Sequence, residues 1–202
     1  MKWLVRGMLV CVLLLLAAAG LTAEDKLDER PYYPLQVGTT WHYKAGDGKF
    51  TIRVRKHEKV GATLCARLDV TRDGKVVGSQ HLAVNAEGVY CHDQTVEGNV
   101  TQTPKPPILL LKLPPKKGDS WKVDSTADGK TFRGTFQIDE QEVKVPADTY
   151  KAVRVTSRNL EVNGLKPVIT TYYARGAGMV KQVIQENNVT TEIELEKFEA
   201  GK

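Results

Sequence analysis

The side chains best suited to metal or redox chemistry in this 202-residue chain are four histidines and three cysteines. The histidines are His42, His57, His81 and His92. No two of them have the helical spacing of metal ligands, and there is no His-Glu-x-x-His. His81, Cys91, His92 and Asp93 could form a small site, but zinc ligands normally have tighter paired spacing. We therefore predict no metal site and no cofactor.

Nucleophiles and phosphate-binding loops give equally little support for catalysis. No serine lies in a Gly-x-Ser-x-Gly turn, which presents the nucleophile in α/β-hydrolases. Gly176 and Gly178 are typical of a turn between strands. The acids Glu192, Glu194 and Glu196 alternate with apolar residues, as solvent-facing strand positions do. We predict that the protein is not an enzyme and has no catalytic residues, with a hydrolase as the weakest alternative.

Cys65 and Cys91 are the two cysteines that lie outside the apolar N-terminal segment. An even pair in an exported chain indicates a disulfide, so we predict a Cys65–Cys91 bond. Two buried free thiols, or a redox or metal site, are the alternatives. The chain contains no Cys-x-x-Cys, which disfavours the redox interpretation.

The N-terminus has the layout of a cleaved secretory signal. Lys2 and Arg6 precede a short apolar run, and small residues lead to Ala23, with Ala19 as the alternative cleavage position. We predict a signal peptide over 1–23 and export to the periplasm or beyond the cell, with a retained membrane anchor as the alternative interpretation of this segment. No later stretch predicts a transmembrane span in the mature chain. The net charge of +5 is spread without a basic block, which disfavours nucleic-acid binding.

Apolar and polar residues alternate with a period of two along nearly the whole remaining chain. In "KFTIRVR", Phe50, Ile52 and Val54 alternate with polar residues, as in a strand with one wet face. Turn signals such as Asp73-Gly74 separate these runs. The pattern predicts an all-β, antiparallel fold of strongly curved sheets or half-barrels.

One phrase occurs twice, 80 residues apart: "PLQVGTTWHYKAGDGK" from Pro34 and "PPKKGDSWKVDSTADGK" from Pro114. In each, a proline stops the preceding ladder, a glycine permits a tight start to a strand, and a tryptophan follows. An Asp-Gly pair, Asp47-Gly48 or Asp128-Gly129, then predicts a turn. We predict two similar tandem units, 24–104 and 116–202; chance recurrence of common turn and core residues is the alternative.

A connector over 105–115 holds the most apolar stretch of the mature chain, fenced by prolines. It could cross the core or cap an open sheet end, or form an exposed apolar loop that contacts lipid or a partner. We predict that ligand or partner contact falls in this stretch, and that the two repeated tryptophans line the interior. The predicted contact residues are Ile108, Leu109, Leu110, Leu111, Leu113, Trp41 and Trp121.

Three motifs carry a resemblance to a known group of proteins. "YYPLQVGTTWHY" near the start, "YYARGAGMVKQ" near the end and "VPADTYKAVRV" between them resemble a widespread group of exported bacterial proteins of unknown function. Asp148 stands where that group usually has glycine. The resemblance covers most of 32–186 and implies an all-β envelope protein, similar to the curved half-barrels that bind lipid in bacterial envelopes. It implies no catalytic residues.

Together these features predict a non-enzymatic β protein of the cell envelope. We expect it to bind an apolar or amphipathic ligand, such as a lipid, or an envelope protein partner. A concave sheet face with an apolar inside is the natural place for such a ligand. A structural or assembly module without a ligand cavity is the alternative.

Overall fold

The computed structural model describes residues 31–96 and 100–202, which form thirteen strands and no helix. The predicted signal segment 1–23 lies outside the described residues. Within them, no helix has the length and apolarity that a membrane span needs. The strands are β1(Thr40–Ala45), β2(Gly48–Val60), β3(Thr63–Arg72), β4(Lys75–Val84), β5(Gly88–Val96), β6(Val100–Gln102), β7(Ile108–Lys112), β8(Ser120–Ala127), β9(Lys130–Lys144), β10(Thr149–Val162), β11(Val168–Ala174), β12(Gly178–Glu186) and β13(Val189–Glu199).

All strands belong to one antiparallel sheet, which confirms the predicted fold class. The order is β6-β5-β4-β3-β2-β1-β13-β12-β11-β10-β9-β8, with β7 paired to β5. β1, the first strand of the described residues, lies in the middle of the sheet, and β2 to β6 follow in order to one edge. The chain then crosses to the opposite edge at β8 and returns to β13, which pairs with β1. The segments 24–104 and 116–202 thus each supply one run of neighbouring strands; their origin by duplication stays a prediction.

The two edges of the sheet meet along a seam formed by the connector. The backbones of Lys105 and Thr126 exchange hydrogen bonds of 2.9 and 3.1 Å, and the Ser125 hydroxyl donates to the Pro106 carbonyl at 2.8 Å. Because these contacts pair groups that an open edge would leave free, the sheet is nearly closed and barrel-like.

The repeated phrase has the same backbone geometry in both halves. Gly38 (φ 91°) and Gly118 (φ 87°) have left-handed conformations that favour glycine. Their N–H groups donate to the carbonyls of Val54 and Ile138, both at 2.9 Å. Val54 and Ile138 donate back to the residue after each glycine, at 2.9 and 2.8 Å. The glycines therefore place the start of β1 and β8 against the middle of the following strand.

The predicted turns lie where the sequence places them, with one shift. Asp73-Gly74 and Asp128-Gly129 both have left-handed backbones and close the β3–β4 and β8–β9 hairpins. The β1–β2 turn instead consists of Gly46 and Asp47, and β2 begins at Gly48. The turn predicted at Asp47-Gly48 therefore lies one residue earlier in the structure.

Candidate ligand-binding site

The interior of the barrel-like sheet contains a cavity of about 590 Å³. Its walls are mainly apolar side chains contributed by strands from all round the sheet. Those facing it include Phe50, Ile52, Val70, Ile108, Leu110, Phe132, Phe136, Val155, Ile169, Ile184 and Ile193. Small-molecule sites in proteins commonly enclose about 300–1,000 Å³ with mainly apolar walls. The cavity has the size and character of such a site.

The period-two pattern explains why these side chains face inward. Successive residues of a strand point to opposite faces. On β2, Ile52 and Val54 are buried while Arg53 and Arg55 are exposed. The same alternation on the other strands gives the sheet an apolar inner face and a polar outer face.

An aromatic cluster closes the base of the cavity. The Tyr33 ring packs 5.5 Å from Trp41 and 6.2 Å from Tyr173. Tyr33 and Tyr173 also line the cavity. Burial raises the pKa of both phenols well above the ordinary value, so both hydroxyls are neutral at physiological pH. The base therefore offers aromatic surface and uncharged hydroxyl groups.

A row of glutamine amides crosses one wall. Gln80 on β4 pairs with Gln94 on β5, which pairs with Gln102 on β6, and all three line the cavity. The Gln94 Nε2 donates to the Gln102 Oε1 at 3.0 Å. Amides both donate and accept, so this wall can satisfy polar groups of either kind without adding charge.

Among the described residues that line the cavity, Lys130 and Glu186 are the two with charged side chains. Both lie beside hairpin turns at one end of the sheet, with Asn163 in the β10–β11 turn at the same end. The Lys130 side chain is exposed, whereas the Glu186 Oε1 is shielded from solvent and has no hydrogen-bond partner in the described chain. This end forms the rim of the cavity.

The predicted contact residues separate into three groups. Ile108 and Leu110 line the cavity, whereas Leu111 is fully buried and Leu113 packs against the core. Leu109 is half-buried, and its carbonyl accepts the Trp121 indole hydrogen at 3.0 Å. Ile108 and Leu110 are therefore the connector residues that a ligand in the cavity would contact.

Neither of the two tryptophans is among the described residues that line the cavity; both pack against residues around it. Trp41 is fully buried beside Phe198, at 6.0 Å between ring centroids. Trp121 is half-buried and stacks on Phe136 at 5.7 Å. Phe136 does line the cavity, and it pairs with Trp121 across β8 and β9, so Trp121 packs beside it on the same face of the sheet.

The predicted disulfide is not formed, because Cys65 and Cys91 are free thiols. Residues paired across an antiparallel ladder share a face. Ala66 pairs with Leu82 and Leu82 with Cys91, and all three belong to the core. Cys65 precedes Ala66 and therefore points to the opposite face, with β4 lying between the two cysteines. The alternative of two buried free thiols describes the structure.

The small site considered around His81 is only partly assembled. His81 Nδ1 lies 2.7 Å from Asp93 Oδ1, and its Nε2 lies 2.9 Å from Glu58 Oε1. Cys91 points into the interior instead, and burial lowers the pKa of His92. In residues 31–96 and 100–202, no group of three or more His, Cys, Asp or Glu could hold a metal ion. His81 therefore forms part of an outer-face polar network.

The interior polar residues were not identified from the sequence, although a signal exists. Alternate positions of β12 are occupied by Val180, Gln182, Ile184 and Glu186. On β4, Gln80 lies two residues before the buried Leu82. A polar residue at one of the alternate positions that are otherwise apolar faces the interior. Departures from the alternation thus mark the polar groups of the cavity.

Two solved structures have a similar fold. One is a candidate lipoprotein of Parabacteroides distasonis ATCC 8503, 15% identical with a TM-score of 0.52. The other is a candidate exported protein with a YmcC-like fold from Bacteroides fragilis NCTC 9343, 13% identical with a TM-score of 0.51. Each match covers 84% of this chain and 99% of the other. No protein-family model and no curated protein matches the sequence. At these identities the likeness shows the fold alone.

Proposed function

We propose that this protein is exported and holds an apolar or amphipathic ligand inside its barrel-like sheet, without catalysing a reaction on it. The observation that carries the proposal is the cavity of about 590 Å³ with mainly apolar walls. A ligand placed there exchanges water for aliphatic and aromatic surface, which contributes roughly 25 cal/mol for each Å² of apolar area buried. The amides, hydroxyls and rim charges of the cavity serve to orient the ligand.

Export is supported by two independent observations. The predicted signal segment has the layout of a secretory leader. Of the two solved structures with a similar fold, one is a candidate exported protein and the other a candidate lipoprotein. Both agree with the resemblance of the sequence motifs to exported envelope proteins.

Titration with the fluorescent apolar probe N-phenylnaphthylamine tests the proposed function. The matched variants are Val70→Phe, which adds a ring inside the cavity, and Val76→Phe, which adds the same ring at an exposed position of β4. We expect the wild type and Val76→Phe to bind the probe equally. Val70→Phe should bind it roughly tenfold more weakly, since the ring occupies the ligand's space.

The opposite result separates ligand binding from a structural role. A wild-type protein that binds no apolar probe, and whose purified form yields no extractable hydrophobic compound by mass spectrometry, contradicts the proposal. That result favours a structural or assembly module. Circular dichroism of both variants establishes that the sheet is retained.

A further inference from the structure

Glu186 is the lining residue that an apolar ligand alone does not explain. It is the last residue of β12 and pairs with Val189 across the β12–β13 hairpin. Asn187 and Asn188, which form the turn, have left-handed backbones with φ values of 47° and 65°. This turn holds the end of β12 at the rim, where the Glu186 side chain lines the cavity.

The carboxylate of Glu186 is only partly satisfied. Its Oε1 is shielded from solvent and accepts no hydrogen bond from any residue that the structure describes. Carboxylates on the neighbouring strand differ: Glu194 pairs with Lys44 at 3.1 Å and Glu196 pairs with Lys49 at 2.9 Å. Shielding an acceptor without a partner is unfavourable. A donor supplied by a ligand would remove that cost.

The surroundings of Glu186 define what kind of ligand could supply the donor. Directly below it, Ile184 pairs with Ile169 across β11 and β12, and both line the cavity. A molecule that reaches Glu186 from within therefore has an apolar part beside these isoleucines. Lys130, the other charged lining residue, is exposed and can remain hydrated, so the shielded carboxylate has the larger influence on the head group.

We propose that Glu186 binds the polar end of a long-chain amphiphile with a hydrogen-bond-donating, positively charged head, such as an alkylammonium group. The inference rests on the proposed function, because the alkyl chain occupies the cavity. A charge-assisted bond between an ammonium and a carboxylate is stronger than a bond between neutral groups. An anionic head would meet like charge at a partly desolvated site.

The test is displacement of N-phenylnaphthylamine by dodecylammonium, dodecanol and dodecanoate, each below its micellar concentration at about pH 7. We expect wild-type protein to bind dodecylammonium roughly tenfold more tightly than dodecanol, and dodecanoate most weakly. Glu186→Gln should remove the advantage of dodecylammonium and change dodecanol affinity by less than about threefold. Glu186→Lys should invert the order in favour of dodecanoate.

Glu161→Gln is the matched control. Glu161 is an exposed residue on β10 at the same end of the sheet, and it does not line the cavity. Its replacement removes the same charge and should leave all three affinities unchanged. The inference is overturned if Glu186→Gln changes all three affinities equally, or none, or if Glu161→Gln has the same effect. Failure of every compound to displace the probe from wild type overturns the proposed function as well, and so differs from failure of head-group selection.

Discussion

The indole of Trp41 donates a hydrogen bond of 2.5 Å to the carbonyl of Ala177, 136 residues away along the chain. Ala177 lies in the turn between β11 and β12, next to Gly178, whose φ is 83°. A Cβ at Gly178 would lie 3.3 Å from Trp41 Nε1, so glycine fits both the conformation and the approach. The opening motif "YYPLQVGTTWHY" and the closing motif "YYARGAGMVKQ" are thus two sides of one contact.

Replacement of Trp41 tests the importance of this contact. Trp41→Phe removes the donor, leaves the Ala177 carbonyl buried without it and opens space in the base. We expect a loss of about 2–4 kcal/mol in the free energy of unfolding. Trp121→Phe also removes a bond to a carbonyl, but Trp121 is half-buried, so we expect about 1 kcal/mol. Urea denaturation followed by circular dichroism measures both losses. Equal losses for the two variants would contradict the greater importance that we give to the contact between Trp41 and Ala177.

The matching glycines of the repeated phrase give a second prediction. Gly38→Ala and Gly118→Ala force alanine into a left-handed backbone, although no side chain lies within 4 Å of the added Cβ. Each should therefore cost a similar amount, about 1–2 kcal/mol, from backbone conformation alone. Thermal unfolding provides the measurement. Gly48→Ala is the control, because Gly48 has no positive φ, although its added Cβ would lie 3.4 Å from the Ala45 carbonyl oxygen. We expect a smaller loss at Gly48, and losses below about 0.5 kcal/mol at both Gly38 and Gly118 would contradict the conformational explanation.

The fold class followed from the sequence because alternation and turn residues are local. Each hairpin turn is specified by its own residues, as at Asp73-Gly74 and Asp128-Gly129. The alternation of apolar residues in β2 likewise specifies that strand, independently of the rest of the chain. The closure of the sheet is not local. Lys105 and Thr126 pair only because β1 and β13 join the two halves and curve the edges together. No feature of either residue indicates that seam.

The sequence predicts that the interior of the sheet is apolar, but not which polar residues face it. Apolar residues at alternate strand positions indicate a concave apolar face, and Ile108 and Leu110 do lie on it. The role of Glu186 depends on the register of β12, since a shift of one residue would turn its side chain outward. The cysteine pairing failed for the same reason: sequence separation does not say that Cys65 and Cys91 occupy opposite faces.

The state of the cysteines can be read by alkylation without reductant. Burial raises the pKa of the Cys91 thiol to about 12 and also raises that of Cys65. Because the thiolate is the reactive form, both should react with iodoacetamide far more slowly in the native protein than in urea. Peptide mapping should show both residues modified in urea. Two unmodified cysteines that become reactive only after reduction would establish a disulfide instead.

The outer-face network at Glu58 predicts part of the response to acid. Hydrogen bonds from Lys56 and His81 lower the pKa of Glu58 from 4.5 to about 2. In the unfolded chain this carboxyl takes up its proton near the ordinary value, so the unfolded state binds more protons as the pH falls between about 4.5 and 2. The stability contributed by Glu58 is therefore present above pH 4.5 and is lost as the pH approaches 2.

Glu58→Gln removes this titration and should flatten the decline in unfolding free energy across that window. The difference between wild type and variant should be largest near neutral pH and should shrink towards pH 2. Urea denaturation at a series of pH values measures it, and Glu161→Gln, whose carboxylate makes no ion pair with the described residues, should leave the decline unchanged. A pH-independent difference for Glu58→Gln would mean that Glu58 stabilises the sheet by packing rather than by charge, because only an ionised carboxylate gains from Lys56 and His81.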